Sequence, residues 1–201
     1  MTETYRTIVA DPPWPTMRGV RSANPGRGHP QRHYPVMTVP EIIGLPIADL
    51  ADPDAHLWIW AINRLVAEAH AVARAWGFRP VTMLTWCKPG PGVGYYLRNN
   101  TEHAILATRG RAMPPERVPL SSWYCWPRGS HSRKPDDFYR LAEQVSPAPR
   151  LELFARWHRP GWAAWGNRVG SDVEVEGWQP NPATPADPDD DPGALFALGA
   201  L

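Results

Sequence analysis

Asp11, Pro12, Pro13 and Trp14 stand directly behind the short apolar run Thr7-Ile8-Val9-Ala10, and their types and order describe a strand that ends in a stiff turn. Two consecutive prolines fix φ and withhold two N–H donors, so the chain leaves the sheet there with little conformational freedom. The turn offers one carboxylate, rigid main-chain carbonyls and an aromatic face, which together make hydrogen-bond acceptors beside a stacking surface. Chemistry at the carboxyl end of a strand is expected in open α/β folds. The same four residues also suit a plain Asp-Pro turn, so their neighbours must distinguish the two.

Two further side chains stand out by rarity. Of 21 basic residues, only Lys88 and Lys134 are lysines. Arg bias commonly reflects genome composition, yet a retained lysine also marks a position that suits a compact point charge rather than a guanidinium fork. The segment 15–35 carries Arg18, Arg21, Arg27, Arg32, His29 and His33 among several Gly and Pro. It reads either as a basic loop that holds phosphates beside the turn or as a solvated loop. The glycine-rich stretch 88–100 lacks the Gly-Lys-Ser/Thr ending of a P-loop, which excludes a nucleoside triphosphatase of that type. Cys87 and Cys125 form neither a metal-ligand spacing nor a disulfide framework and read as core thiols in a reducing compartment. No metal site is expected.

The elements that position these residues follow from hydrophobic pattern. Buried strands are predicted at 7–10, 56–62, 81–86, 104–108 and 150–155. Between them, Asn63 is placed to cap a helix with Val66, Ala69, Ala73 and Trp76 on one face and Gly77 at its end. Pro135 suits the first turn of a second helix, in which Phe138, Leu141, Ala142 and Val145 share a face before Pro147. Strands alternating with helices indicate an α/β fold with a mostly parallel central sheet covered by helices on both faces.

The chain has 201 residues, 43% of them hydrophobic, enough for one substantial core. No apolar run approaches 18 residues and no signal peptide is evident, so a cytoplasmic protein with no membrane partner is expected. A net charge of +1 hides an asymmetry: residues 1–170 carry 21 bases against 13 acids, and residues 171–201 carry seven acids and no base. The basic body suggests a polyanionic partner. The Pro- and Asp-rich tail, 171–201, is expected to be disordered, most clearly over about 172–193. Its apolar end, 194–201, reads as a docking segment or a frayed terminus.

Taken in chain order, seven segments carry a resemblance. They are Asp11-Pro12-Pro13-Trp14; Tyr34 with Met37; Trp86-Cys87-Lys88; Glu102-His103; His131-Ser132-Arg133-Lys134-Pro135-Asp136; Leu151-Glu152-Leu153-Phe154-Ala155-Arg156; and Gly166-Asn167. The ordered set resembles the MT-A70 family of adenine amino-methyltransferases over roughly residues 5–170. The resemblance implies a Rossmann-like domain using S-adenosylmethionine, with the catalytic turn placed before the main cofactor segments. It implies that Asp11, Lys134, Phe154, Arg156, His158 and Asn167 contact the cofactor. Lys134 is expected at its methionine carboxylate, and Arg156, His158 and Asn167 around its ribose and adenine. Trp14, Tyr34, Lys88, Asn100 and Glu102, with Asn99 nearby, are expected to line the pocket of the substrate base. Arg168 stands where the messenger-RNA enzymes commonly carry an amide, and no Gly-x-Gly-x-x-Gly fingerprint is present.

The chemistry implied is methyl transfer to the exocyclic amino group of adenine, with Asp11 accepting one amino hydrogen and a carbonyl of the Pro12-Pro13 turn accepting the other. DNA is the expected polymer, since no separate RNA-binding module is visible. RNA, glutamine side chains in proteins, and a silent nucleic-acid-binding subunit are the alternatives. A protein partner or a dimer is compatible with all of them.

Overall fold

The computed structural model describes residues 3–15, 36–90, 92, 94, 96–114, 119–129 and 133–176. Tyr34 and the basic loop 16–35 lie outside these residues, as do 177–201 of the acidic tail. Seven strands form one sheet: β1 (Tyr5–Ala10), β2 (Ala51–Ile62), β3 (Arg79–Cys87), β4 (Thr101–Thr108), β5 (Trp123–Tyr124), β6 (Arg150–Leu153) and β7 (Ala163–Trp165). Their order is β5-β3-β4-β2-β1-β6-β7. The pairs β1–β2, β1–β6, β3–β5 and β6–β7 are parallel, and β4 is antiparallel to both β2 and β3. Six strands therefore point one way and β4 points back. That reversal matters, because it delivers the start of β4 to the edge where the other six strands end.

The helices are α1 (Val39–Ile43), α2 (Ile47–Leu50), α3 (Val66–Ala75) and α4 (Asp136–Val145). Alternation along β2 explains the two cores. Leu57, Ile59 and Ala61 face one side with Ile8, Ile105, Leu151, Leu153 and the α3 residues Ala69, Val72 and Ala73. Trp58 and Trp60 face the other with Val9, Trp86, Ala104 and the α4 residues Phe138, Tyr139, Leu141 and Ala142. A strand segment buried on both faces reads as an unbroken apolar run, which is how β2 reads from Leu57 to Ala61. The α1 helix starts with a Thr38/Glu41 capping box and is tied to the end of α3 by the Trp76 indole N–H on the Ile42 carbonyl, 3.0 Å away.

Three expectations shift in detail. Asn63 is not the cap of α3: it opens a 3-10 turn, Asn63–Leu65, and its side-chain amide pairs with the Thr101 hydroxyl at 3.0 Å. The last strand expected to reach 155 ends at Leu153, because Phe154 turns into the left-handed region at φ 61°. The acidic stretch does not leave the body at 171. Asp172 exchanges two 2.8 Å hydrogen bonds with the Ala164 main chain, and Val175 is buried in the α3-side core. One acid satisfying a strand-edge amide and one apolar side chain suffice to hold 172–176. Among the described residues no helix is long and apolar enough to cross a membrane.

Candidate active site

Because β1 lies between β2 and β6, the chain runs to one side of β1 early and to the other side late. The crevice beyond its carboxyl end is thus a topological switch point. Asp11 sits there. Lys88 follows β3, Glu102 begins the antiparallel β4, and Lys134 precedes α4 on the return from β5 to β6. The four charges alternate in sign along this edge. Lys134 Nζ donates to Asp11 Oδ2 at 2.6 Å and lies 3.4 Å from Glu102 Oε2, and Lys88 Nζ donates to Glu102 Oε1.

Lys134 is largely sealed from solvent, with 10% of its side chain exposed, while 31% of the Asp11 side chain remains open. The carboxylate is thus the accessible end of the pair. Burial penalises the Lys134 ammonium, but the carboxylates of Asp11 and Glu102 outweigh it and hold Lys134 above the ordinary lysine value. Burial likewise penalises the Glu102 carboxylate, and Lys134 and Lys88 overcome it, holding Glu102 below the ordinary carboxylate value. Both ammonium groups rest on tryptophan rings, Lys134 at 5.2 Å from the Trp60 centroid and Lys88 at 4.6 Å from that of Trp86.

The turn itself is braced from within. The Trp14 N–H donates to the Pro12 carbonyl at 2.7 Å and the Met37 N–H to the Pro13 carbonyl at 2.9 Å. Among the described residues each prolyl oxygen accepts this one backbone hydrogen bond, and a carbonyl has a second lone pair. The Trp14 indole N–H donates to the Trp60 carbonyl at 2.8 Å, so its ring is fixed and partly buried against the α3-side core. Asn100 acts through its backbone: its carbonyl receives the Lys88 N–H at 2.7 Å, and its side chain is exposed, as is that of Asn99.

The remaining expected residues occupy the next strands along the same edge. Phe154 ends β6 in its left-handed turn and meets Trp165 edge-on, ring centroids 5.3 Å apart. Asn167 follows β7 and Gly166, where a Cβ would approach the Ala155 carbonyl to 2.1 Å, so only glycine permits the two turns to meet. Arg156 contributes positive potential at Lys134. His158 lies farther out, 3.6 Å from Asp172. The structure thus joins Asp11, Lys134, Glu102 and Lys88, which the resemblance divided between a cofactor side and a base side, into one chain of charges. Cys125 is exposed rather than a core thiol.

Sequence reasoning missed Glu152. It lies on β6 beside Val9, one pleat inward from Asp11 on the same face, and is only 8% exposed. The Tyr139 hydroxyl donates to its Oε1 at 2.6 Å, and its Oε2 has no hydrogen-bond partner among the described residues. Burial pushes its carboxyl up. Arg159 covers the Tyr139 ring at 3.6 Å and pairs with Asp136 at 2.9 Å, and Asp136 also holds Arg133 at 3.0 Å. Two members of this brace, Arg133 and Asp136, stand on either side of Lys134 in the chain. Its signal in the sequence was a single acid inside the apolar alternation of β6.

A profile of the MT-A70 family matches residues 5–168. The chain is 27% identical over 176 residues to a protein of Oryza sativa subsp. japonica named probable N(6)-adenosine-methyltransferase MT-A70-like, covering 82% of this chain and 23% of that one. It is 26% identical over 176 residues to the human N(6)-adenosine-methyltransferase catalytic subunit METTL3, covering 82% and 28% respectively. It is also 26% identical over 181 residues to the type II methyltransferase M.MunI of Mycoplasma sp, covering 82% of this chain and 78% of that protein. The chain therefore spans about a quarter of the two N(6)-adenosine-methyltransferases it matches and most of the type II enzyme. The match begins with β1 and ends beyond β7, including every strand end that carries the alternating charges, and the chain belongs to the MT-A70 family.

Proposed function

We propose that this chain is an adenine-N6 methyltransferase acting on DNA. The observation that carries the reading is the partly open Asp11 carboxylate at the switch point, held at 2.6 Å by a buried ammonium and followed by two prolyl carbonyls with lone pairs to spare. The amino group of adenine is a poor nucleophile because its lone pair is delocalised into the ring. Asp11 accepts one amino hydrogen and a Pro12 or Pro13 carbonyl the other, which draws the nitrogen toward tetrahedral geometry and leaves Asp11 to take the proton that methylation releases. Lys134 holds the Asp11 carboxylate in place. Glu102 and Lys88 border the position of the base, and Trp14, fixed by its indole N–H, offers the remaining face of its ring for stacking.

The family's methyl donor is S-adenosylmethionine, which supplies an electrophilic methyl on a sulfonium. The donor set fits its methionine part. Asp11 and Lys134 offer a carboxylate for an ammonium and an ammonium for a carboxylate within one ion pair, the turns at Phe154 and Gly166-Asn167, with Arg156, follow β6 and β7 along the same edge, and His158 lies farther out beside Asp172. These residues would hold the donor.

DNA is favoured because a type II methyltransferase is matched over 78% of its own length, whereas the two relatives named for a ribonucleoside are matched over about a quarter. The excess of bases over residues 1–170 suits either polymer. A silent nucleic-acid-binding subunit is the second reading, and the retained Asp11 argues against it. Transfer of labelled methyl to single-stranded DNA, duplex DNA, RNA and a protein lysate separates these readings. Label in DNA is expected. Label confined to RNA or protein overturns the substrate assignment, and binding of cofactor and DNA without transfer to any polymer establishes the silent subunit.

A further inference from the structure

We propose that Cys87 and Cys125 form a dithiol site that low-molecular-weight disulfides such as oxidised glutathione convert reversibly to an intramolecular disulfide, with consequences for the adjoining Lys88. The parallel strands β3 and β5 pair Thr85 with Trp123 and Trp86 with Tyr124. The next residue on each chain is a cysteine: Cys87 ends β3 and Cys125 directly follows β5, which continues the register by one position. Register partners in a sheet project from the same face, and adjacent strands lie about 4.8 Å apart, inside the Cα separation of about 4.4–6.8 Å that a disulfide spans. The two chains stay together past the last pair. Trp86 Nε1 donates to the Trp126 carbonyl at 2.9 Å, and the Tyr124 and Trp126 rings stack with centroids 4.7 Å apart and planes inclined by 6°. Cys125 is thereby bracketed by two residues tied to β3.

The two thiols interact directly: burial, then the neighbouring Cys125 thiol, push the Cys87 thiol up. Cys125 is exposed and Cys87 half-buried, which assigns the order of events. The Cys125 thiolate attacks one sulfur of glutathione disulfide, the S–S bond breaks, and one glutathione thiolate leaves. Cys87 then gives up its proton and attacks Cys125 Sγ, releasing the second glutathione. Two protein thiols are oxidised, one glutathione disulfide is reduced to two thiols, and the two protons pass to the departing thiolates.

The pair abuts the charge chain. Cys87 pairs with Thr101 across β4, and the next residue, Lys88, donates its N–H to Asn100 and its ammonium to Glu102. Drawing Cys87 toward β5 therefore pulls on the backbone that carries Lys88, which under the reading above borders the base.

Full-length protein is incubated with oxidised glutathione, quenched with an alkylating agent and weighed intact, and amide exchange is followed in the peptide containing Lys88. The expected result is a mass lower by about 2 Da with neither cysteine alkylated, a change of about threefold or more in Lys88 exchange, and reversal of both by dithiothreitol. Cys125→Ser is expected to show neither change. Two alkylated cysteines, or a stable glutathione adduct on Cys125, overturn the dithiol site; a disulfide with unaltered Lys88 exchange overturns its coupling to the edge. Both readouts are independent of methyl transfer, so they stand or fall separately from the proposed activity.

Discussion

The two faces of the sheet are built from the same strands and differ in kind. The α3 face is mainly aliphatic, with Leu57, Ile59, Leu151 and Leu153 closing on Ala69, Val72 and Ala73, joined by the buried rings of Tyr5, Trp76, Phe78 and Trp165. The α4 face is aromatic and charged at its rim. Trp58 and Trp60 stand where the other face has leucine and isoleucine, the cations Lys88, Lys134, Arg150 and Arg159 lie over rings, and a buried glutamate is hydrogen-bonded to tyrosine. An aliphatic layer offers nothing to orient a charge. Indole and phenol rings pack as core, attract ammonium groups to their faces and present N–H or O–H donors at their edges. The contrast teaches that stability resides on the α3 side and that the α4 side positions the charges.

Substitutions on either side test this division. The largest effect is expected from Asp11→Ala, which should lower single-turnover methyl transfer by about 10²–10³-fold, with the thermal midpoint and DNA affinity largely kept. On the aliphatic face, Leu57→Ala should cost about 2–5 kcal/mol in urea denaturation while the folded fraction transfers methyl at the original rate. A rate that fell in proportion would erase the distinction between the faces. Lys134→Ala should weaken binding of S-adenosylhomocysteine about tenfold, or about 1.4 kcal/mol, in a calorimetric titration. An unchanged dissociation constant removes Lys134 from the cofactor side.

A subtler difference lies in pH dependence. Glu102 is held below its ordinary value of 4.5, so its ionised form contributes stability above that value, and the contribution is lost as pH falls through the lower folded value. Lys134 is held above 10.5, so its contribution is present below that value and is lost as pH rises through the higher folded one. The stability gap between wild type and Glu102→Gln should be flat near neutrality and close below pH 4.5, and that between wild type and Lys134→Ala should close only above 10.5, as denaturation at stepped pH will show. The smallest effect belongs to Arg140→Ala, whose exposed pair with Asp137 should contribute no more than about 0.5 kcal/mol.

Much of this was legible in the sequence where a local pattern carried it. The run before Asp11, the face of α4 and the rarity of Lys88 and Lys134 each depend on neighbouring residues or on composition, and each led to the edge where the charges meet. The direction of β4 was not legible, because an apolar run reads alike forward and backward, and only that reversal brings Glu102 to Lys134. Edge strands as short as β5 and β7 leave no periodicity to detect. The Asp11–Lys134 pair spans 123 positions, so its members could be named singly but not joined. Glu152 was named only within the Leu151–Arg156 segment, because its partner Tyr139 lies 13 positions away on another element, and Val175 was hidden by the acids around it.

The central claim is that Asp11 withdraws a hydrogen from one particular nitrogen. It is tested most directly by labelled transfer to a duplex containing a single adenine, followed by digestion to nucleosides, for wild type and Asp11→Asn side by side. The account predicts all label in N6-methyl-2′-deoxyadenosine with the wild-type protein, and none above background with Asp11→Asn despite retained cofactor binding. Label on any other atom, or an Asp11→Asn rate within about tenfold of wild type, would contradict it.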